Sequence, residues 1–373
     1  MLYELDKTDY GKVRPLFAEL ETYNFSLGGV FDGSRAAKVY VDDRQNPQSA
    51  FIVSSIWFYL GGNAHNAAFN HALQTLIAGD EFAHDPIHNP DDANVYCHPD
   101  DWREQYPAIF GERPPLEGPN RRYVFRQFPF DWRARLPEGF TVRPIDKTLL
   151  ENAHLQNLAD VKAWVKACWE MCEETYYQQG VGVCLQHGDA IAAWCLTAAI
   201  DGNACELGIE TAADFRRQGL GTLAAMATVS ACLERGFTTI DWHCDDSNAG
   251  SWGVAENAGF ILERKYLSHD YYYDPLFYLA ATGIHYFILQ QYREAIVWFQ
   301  KAIVAGYTET WVYVRAARAY AQLGEKDAAF RNLQTALDKG WQDRQFLKNC
   351  ADFQSLCDLP EWATILAQLQ AEA

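Results

Sequence analysis

The segment D-F-R-R-Q-G-L-G-T-L-A-A, Asp214 to Ala225, decides the reading of this chain. It follows an apolar, strand-like run and opens a helix predicted over Leu220–Arg235, which Gly236 closes. Glycines at 219 and 221 let a backbone approach a ligand with no Cβ in the way. The first N–H groups of a helix have no partner in the helix, and its dipole favours negative charge there. A strand, an Arg-rich glycine turn and a helix start therefore suit a phosphate, while by themselves they also suit a simple strand–helix turn. Thr222 adds a hydroxyl donor.

Upstream, A-C-E-L-G-I-E-T (204–211) alternates as a strand. Glu206, Gly208 and Glu210 share one face; Cys205, Leu207 and Ile209 share the other, expected to meet the helix. A pair of carboxylates on one sheet face suits binding and deprotonating an ammonium. Structural pairing with Arg or Lys is the plainer alternative for each. Downstream, Thr238–His243 reads as a strand. Asn248-x-x-Ser251-x-x-Val254-x-x-x-x-Gly259-Phe260 then starts and ends a short helix, and Asn248 also suits a plain N-cap.

These two blocks, in this order and spacing, resemble the acyl-CoA pyrophosphate loop and the late helix motif of GNAT N-acetyltransferases. The longer pattern G-I-E-T…F-R-R-Q-G-L-G-T…D-W-H-C…N…S…A-E-N-A-G-F is similar to the subgroup of zwittermicin-type resistance acetyltransferases. The resemblance implies a mixed α/β GNAT fold and acetyl-CoA as cofactor. It implies Arg216, Arg217, Gln218, Gly219, Leu220, Gly221 and Thr222 as the phosphate loop. The backbone of Leu207 and Ile209 would meet the thioester, through a strand bulge, and Asn248 the pantetheine or the helix start. Glu206 and Glu210 are the candidate catalytic carboxylates. Many such enzymes carry a tyrosine on the late helix as general acid, where this chain has Ala255. A free thiol has a pKa near 8.5, so the thiolate can leave unaided; otherwise Ser251, Tyr266 or a tyrosine of 271–273 must serve, and Ser251 is the candidate.

The subgroup also carries a turn like Val41-Asp42-Asp43-Arg44-Gln45-Asn46-Pro47, so the resemblance extends over 1–270 and makes the upstream half a degenerate GNAT-like fold. In that half, Lys38–Asp42 reads as a strand, Ala50–Leu60 as a second, and Asn63–Ile77 as a helix. Gly111–Asn120, rich in Gly and Pro, reads as a linker before a strand at Tyr123–Phe128. Phe140–Arg143, Gly182–Gln186, Ala190–Ala199 and Phe260–Tyr266 read as further strands, and Leu149–Tyr177 as one helix.

From 276 the pattern becomes all-helical and repeats. Gly283, Tyr286, Ala295, Phe299 and Ala302 return 34 residues later as Ala317, Tyr320, Ala329, Leu333 and Ala336. That period resembles the tetratricopeptide repeat. Residues 343–370 are expected to cap it. The organisation expected is thus 1–120, 121–274 and 275–373. The tail suits a protein partner or self-association, or serves only as a packing lid.

Composition narrows the function. A formal net charge of −18 argues against a nucleic-acid partner and favours a cationic substrate, here a small-molecule amine. Ten scattered cysteines (97, 168, 172, 184, 195, 205, 232, 244, 350, 357) read as reduced core thiols of a cytoplasmic protein. The start lacks a signal-peptide pattern, and no apolar run is long enough to span a membrane. His243-Cys244-Asp245-Asp246 lacks the spaced partners of a metal site, so none is expected. A non-catalytic acyl-CoA-binding scaffold and a protein acetyltransferase are the competing readings.

Overall fold

The computed structural model describes residues 2–33, 35–87, 92–152, 154–169 and 173–369. Cys172, part of the helix expected over 149–177, and residue 370 of the expected cap lie outside the described residues. Two compact units are present. One takes most of the chain up to His269; the other takes Glu112–Glu117 and the chain from Asp270 on.

The first unit is built on a sheet of twelve strands: β1 (Tyr3–Glu4), β2 (Lys38–Val41), β3 (Ser49–Ser54), β4 (Trp57–Gly62), β5 (Asp92–His98), β6 (Leu116–Phe125), β7 (Phe140–Pro144), β8 (Gly182–His187), β9 (Ala190–Asp201), β10 (Ala204–Thr211), β11 (Thr239–Asp245) and β12 (Phe260–Tyr272). Their order across the sheet is β1-β2-β3-β4-β5-β12-β6-β11-β10-β9-β8-β7. Replacing each of the first six strands by the strand six later, and the reverse, turns this order into its own mirror. The pairing follows the same symmetry. Antiparallel steps lead inward from each edge to one parallel step, β4 with β5 on one side and β10 with β11 on the other. The last strand of each half sits beside the other half's parallel pair.

The two parallel pairs differ where it matters. β4 stays on β5 from Trp57↔Asn94 to Gly61↔His98. β10 stays on β11 only from Ala204↔Thr239 to Glu206↔Asp241. Beyond that pair β11 continues along β6, and β10 continues along β9. The sheet is therefore split between Leu207–Thr211 and Trp242–Asp245.

The helix Leu220–Arg235 covers one face of the split half. Leu220, Leu223, Ala224, Ala225, Met226, Ala227, Val229 and Cys232 are buried with Cys205 and Leu207 of β10 and Ile240 and Trp242 of β11. Its small residues let the helix axis come close to the sheet, and Ala is the best helix former. Gly236, at φ 99°, ends it in the left-handed conformation. The helix Leu158–Cys168 covers the other face: Val161 and Val165 pack with Trp194, Leu196 and Ile191.

Three expectations are corrected. The run Ala50–Leu60 is two strands, because Ser55 (φ 52°) and Ile56 form a two-residue hairpin turn between Ser54 and its partner Trp57. Both strands are nearly buried throughout, so no polar alternation marks the turn. The second half of the supposed linker Gly111–Asn120 is β6: Asn120 pairs with Asp245, and the Pro119 carbonyl accepts from the Asp246 N–H (2.7 Å). The helix expected over 149–177 is Lys147–Leu150, Leu158–Cys168 and Glu173–Gln179. Asn157, at φ 64° and bonded to the Ile191 carbonyl (2.9 Å), interrupts it.

The second unit is helical. Pro275–Ile288 and Tyr292–Val304 form one antiparallel pair; Thr310–Gln322 and Lys326–Asp338 form the next, the second helix of each starting and ending 34 residues apart. Ala295, Phe299 and Ala302 and their counterparts Ala329, Leu333 and Ala336 lie in one core. Gly283 allows the closest approach: a Cβ there would stand 2.5 Å from the Phe299 ring. Arg344–Asn349, Ala351–Leu356 and Pro360–Gln368 follow, burying Leu347, Phe353 and Trp362 on that core. Among the described residues no helix is long and apolar enough to cross a membrane.

Candidate active site

The split in the sheet opens a cavity of about 800 Å³. Its walls are β10 from Leu207 to Thr211, β11 from Trp242 to Cys244, the turn and helix start from Phe215 to Thr222, the short helix from Asn248 to Asn257, and Trp164.

One end is the glycine turn. Arg217 (φ 64°) and Gly219 (φ 77°) both hold left-handed backbone, which turns the chain from the Ala213–Phe215 turn into the helix. Gly219 is the N-cap, and no side chain caps the helix. The first intrahelical bond runs from the Leu223 N–H to the Gly219 carbonyl (3.3 Å), so the N–H groups of Leu220, Gly221 and Thr222 precede the ladder. A Cβ on Gly221 would meet Thr211 Oγ1 at 3.1 Å and Val254 at 3.5 Å. The turn therefore offers backbone donors and a positive dipole end at a place where a side chain would intrude.

The middle of the cavity is the strand split. The β9–β10 register shifts between Glu206 and Leu207: Glu206 pairs with Ala199 and Leu207 with Thr197, leaving Ala198 extra on β9. A bulge thus lies at the expected level, with its additional residue on the neighbouring strand. Cys205 and Leu207 are buried on the helix face, while Glu206 and Glu210 stay half-buried on the other. Gly208 lies under Trp164; a Cβ there would stand 2.5 Å from the indole.

A family model described as GNAT acetyltransferase matches residues 15–268. The chain belongs to the GNAT acetyltransferase family. It is therefore an acyltransferase enzyme. The chain is similar to the "Uncharacterized N-acetyltransferase YdfB" of Bacillus subtilis (strain 168), 24% identical over 269 residues, covering 71% of this chain and 97% of the relative. Among solved structures it is similar to a GCN5-related N-acetyltransferase-like protein from Streptococcus suis 89/1591, at TM-score 0.51 and 20% identity, covering 70% of this chain and 99% of that one. It is also similar to a GCN5-related N-acetyltransferase from Sphaerobacter thermophilus, at TM-score 0.48 and 15% identity, covering 74% of this chain and 96% of that one.

GNAT enzymes use acetyl-CoA, and the cavity can be tested for it. A long cleft with uncapped helix N–H groups at one end and an unpaired strand edge in its middle fits a pyrophosphate followed by an extended thioester arm. Of the residues read from the sequence, Leu207, Ile209, Glu210, Arg216, Arg217, Gly219, Leu220, Gly221, Thr222, Asn248 and Ser251 line this GNAT cleft. Glu206 and Gln218 are not among its lining residues. The Gln218 amide donates to the Asp214 carbonyl (3.4 Å).

Several of these side chains already have partners. Arg216 donates from Nε to the Thr211 carbonyl (3.0 Å) and from Nη2 to Glu210 Oε1 (3.2 Å). Asn248 Oδ1 accepts from the Ser251 N–H (3.0 Å) and so caps the short helix. Ser251 Oγ accepts from Trp242 Nε1 (3.0 Å). Ala255 is fully buried.

Sequence reading missed two lining residues with chemistry. Trp164 comes from a helix far upstream, and only the bare surface of Gly208 hinted that a large side chain covers it. In the sequence His243 stands out only as part of the run His243-Cys244-Asp245-Asp246, which lacks the partners of a metal site. Its place at the strand split depends on how far β10 follows β11, which no local pattern reports.

Proposed function

We propose that this enzyme transfers the acetyl group of acetyl-CoA to a primary amine of a small molecule by direct attack on the thioester. The observation that carries this reading is the split after Glu206↔Asp241, with an uncapped glycine-turn helix start at its mouth. Acetyl-CoA supplies an electrophilic thioester carbonyl. The turn from Arg216 to Thr222 holds its phosphates, chiefly through the N–H groups of Leu220, Gly221 and Thr222, and Asn248 stands beside the pantetheine arm. Backbone at Leu207 and Ile209, left without a β11 partner, polarises the carbonyl. Glu206 and Glu210 attract the ammonium, and Ser251 is within the same cleft for the leaving thiolate.

The upstream half, residues 1–120, is on this reading a degenerate copy of the catalytic half, 121–274. The mirror symmetry of strand order supports duplication. The closed β4–β5 ladder accounts for lost cofactor binding: it leaves no split. The turn shared with the zwittermicin-type subgroup is a built one here. Asp42 Oδ1 accepts from the N–H groups of Gln48 (2.9 Å) and Ser49 (3.1 Å), and Asp42 Oδ2 from Asn66 Nδ2 (2.9 Å), the residue that caps the next helix. Residues 275–373 are a tetratricopeptide-like tail, supported by the 34-residue register of its helix pairs, and suited to a protein partner.

Calorimetric titration with acetyl-CoA and then CoA tests the reading, followed by a thiol-release screen over polyamines and amino-bearing antibiotics. Micromolar binding with turnover on such an amine is expected. A folded protein that binds neither thioester nor thiol would leave the scaffold reading in its place.

A further inference from the structure

Which group takes the proton from the acceptor amine is not answered by the two glutamates. Glu210 is paired with Arg216, and Glu206 does not line the cleft. Among the lining residues, Cys244 is the thiol, and burial pushes it up, away from thiolate. That leaves His243, the one imidazole among the cavity-lining residues.

His243 lies two positions beyond Asp241, where β11 parts from β10. Trp242 between them is buried in the helix-side core, so Asp241 and His243 face the opposite side of the sheet with Glu206. The ring is held at one nitrogen: Nδ1 is 2.8 Å from Tyr266 Oη on β12. The other nitrogen, Nε2, is buried without a hydrogen-bond partner, and Asp241 Oδ2 stands 3.8 Å from it. Asp241 is fully buried, and its Oδ2 accepts from Arg122 Nε (2.5 Å), while Oδ1 also lacks a partner. Buried polar atoms left unsatisfied are costly and mark a place where something else belongs. Of the two residues that carry these atoms, His243 lines the cleft and Asp241 stands behind it.

We propose that His243, oriented by Tyr266 and backed by Asp241, accepts the proton of the acceptor amine. The assignment rests on the acetyl-transfer reading above. The amine lone pair forms the C–N bond to the thioester carbonyl carbon, whose π pair moves onto oxygen and returns as the C–S bond breaks. The N–H proton passes to the imidazole, directly or through one water. The departing sulfur takes a proton from the imidazolium or from water, so amine and thioester become amide and thiol. Asp241 stabilises the imidazolium while it exists. Burial and its neighbours keep the Tyr266 phenol protonated, and its proton goes to Tyr96, so that Tyr266 Oη accepts from the Nδ1–H of His243 and the lone pair of the ring lies on Nε2.

The charged and titratable groups around the ring come from every adjoining strand. Arg122 of β6 pairs directly across from His243 and also binds Glu263 of β12 (3.3 Å). Glu206 approaches from β10, and the Tyr23 ring lies tilted against Tyr266 with centroids 5.8 Å apart. The pH response expected is that of this group as a whole, with the imidazole as the member that moves the proton.

The test compares wild type with His243→Gln and His243→Ala. Acetyl-CoA affinity is read by calorimetry, and thiol release is read against pH with spermidine and with butylamine at high concentration. The expected result is unchanged acetyl-CoA affinity, turnover lower by about 100-fold or more, loss of the acidic limb of the kcat profile, and partial rescue of His243→Ala by free imidazole. Wild-type turnover and an unaltered pH profile in His243→Gln overturn the assignment alone. Weaker acetyl-CoA binding in both variants, with kcat preserved, also overturns it, since the ring then serves the cleft wall. Wild type that binds acetyl-CoA and releases no thiol with any amine overturns the transfer reading, and the base with it.

Discussion

Glu206 and Asp241 are the last residues that β10 and β11 share as a parallel pair, and the cleft begins directly beyond them. Both carboxylates lie on the face away from the helix Leu220–Arg235. Their fates differ: Asp241 is fully buried against Arg122, and Glu206 is half-buried and not paired to Arg or Lys by any ion pair among the described residues. Glu206→Gln is therefore expected to lower turnover with little change in acetyl-CoA affinity. Glu210→Gln should do the same by a smaller factor, because Glu210 gives up only an exposed pair with Arg216, of the kind worth about 0–1 kcal/mol. Steady-state kinetics beside calorimetry checks both; wild-type rates in both variants remove the glutamates from the mechanism.

Gly221 tests the phosphate loop. Even a Cβ would crowd Thr211 Oγ1 at 3.1 Å, and an indole has no space between that residue and Val254. Gly221→Trp should abolish acetyl-CoA binding while circular dichroism keeps the helical signal of the second unit. Gly219→Ala probes a different cost. Nothing lies within 4 Å of its Cβ, but the residue sits at φ 77°. The expected loss is about 1–2 kcal/mol of stability from backbone strain alone, read by urea unfolding. Unchanged affinity in Gly221→Trp would sink the loop assignment.

The loop was legible in the sequence because its chemistry is local: glycines, a preceding strand and a helix start are neighbours in the chain. The strands β8, β10 and β11 and the helix after β10 were legible for the same reason. What the sequence hid was non-local or masked by uniform burial. The Ser55 turn has apolar strands on both sides and no Asn-Gly or Asp-Gly signal. The strand at Leu116 carries Gly118 and Pro119, which locally argue for a break, yet Asp246 and Asn120 tie it into the sheet. The placement of β6 beside β11 and of β12 beside β5 depends on pairings across more than a hundred residues. The same is true of His243, whose neighbours Arg122 and Tyr266 come from those two strands.

His269 gives the fold a pH response separate from catalysis. It is buried on β12 with its ring edge-on to Tyr106 at 5.1 Å, and burial pushes its pKa down from the usual 6.5 to about 4. A folded pKa below the unfolded one means the unfolded chain binds the extra proton first. Stability is then fully present above about pH 6.5 and falls as pH drops from 6.5 toward 4, by up to about 3 kcal/mol. Urea unfolding at pH 7 and pH 4.5 should show wild type losing more stability on acidification than His269→Leu. Equal losses in the two proteins would mean that other groups carry the acid sensitivity.

The helical repeat makes a prediction about sign. Replacing a glycine inside an exposed helix by alanine usually stabilises by about 0.5–1 kcal/mol, since the unfolded chain loses freedom. Gly283 lies inside the helix Pro275–Ile288, yet its missing Cβ is the space the Phe299 ring occupies, 2.5 Å away. The ring is fully buried among Ala295, Ala302 and the next helix pair and cannot withdraw without opening that core. Overpacking of this kind costs about 1–3 kcal/mol and outweighs the propensity gain. Gly283→Ala should therefore lower the unfolding midpoint of the second unit, and Gly283→Val should lower it further. Ala317, its counterpart one repeat on, already carries the methyl group, so Ala317→Gly should destabilise by about 1 kcal/mol rather than relieve anything. Differential scanning calorimetry of the full chain reads all three. A higher midpoint for Gly283→Ala would mean that the two helices do not need the glycine to approach, and the close-packed reading of the repeat would fail.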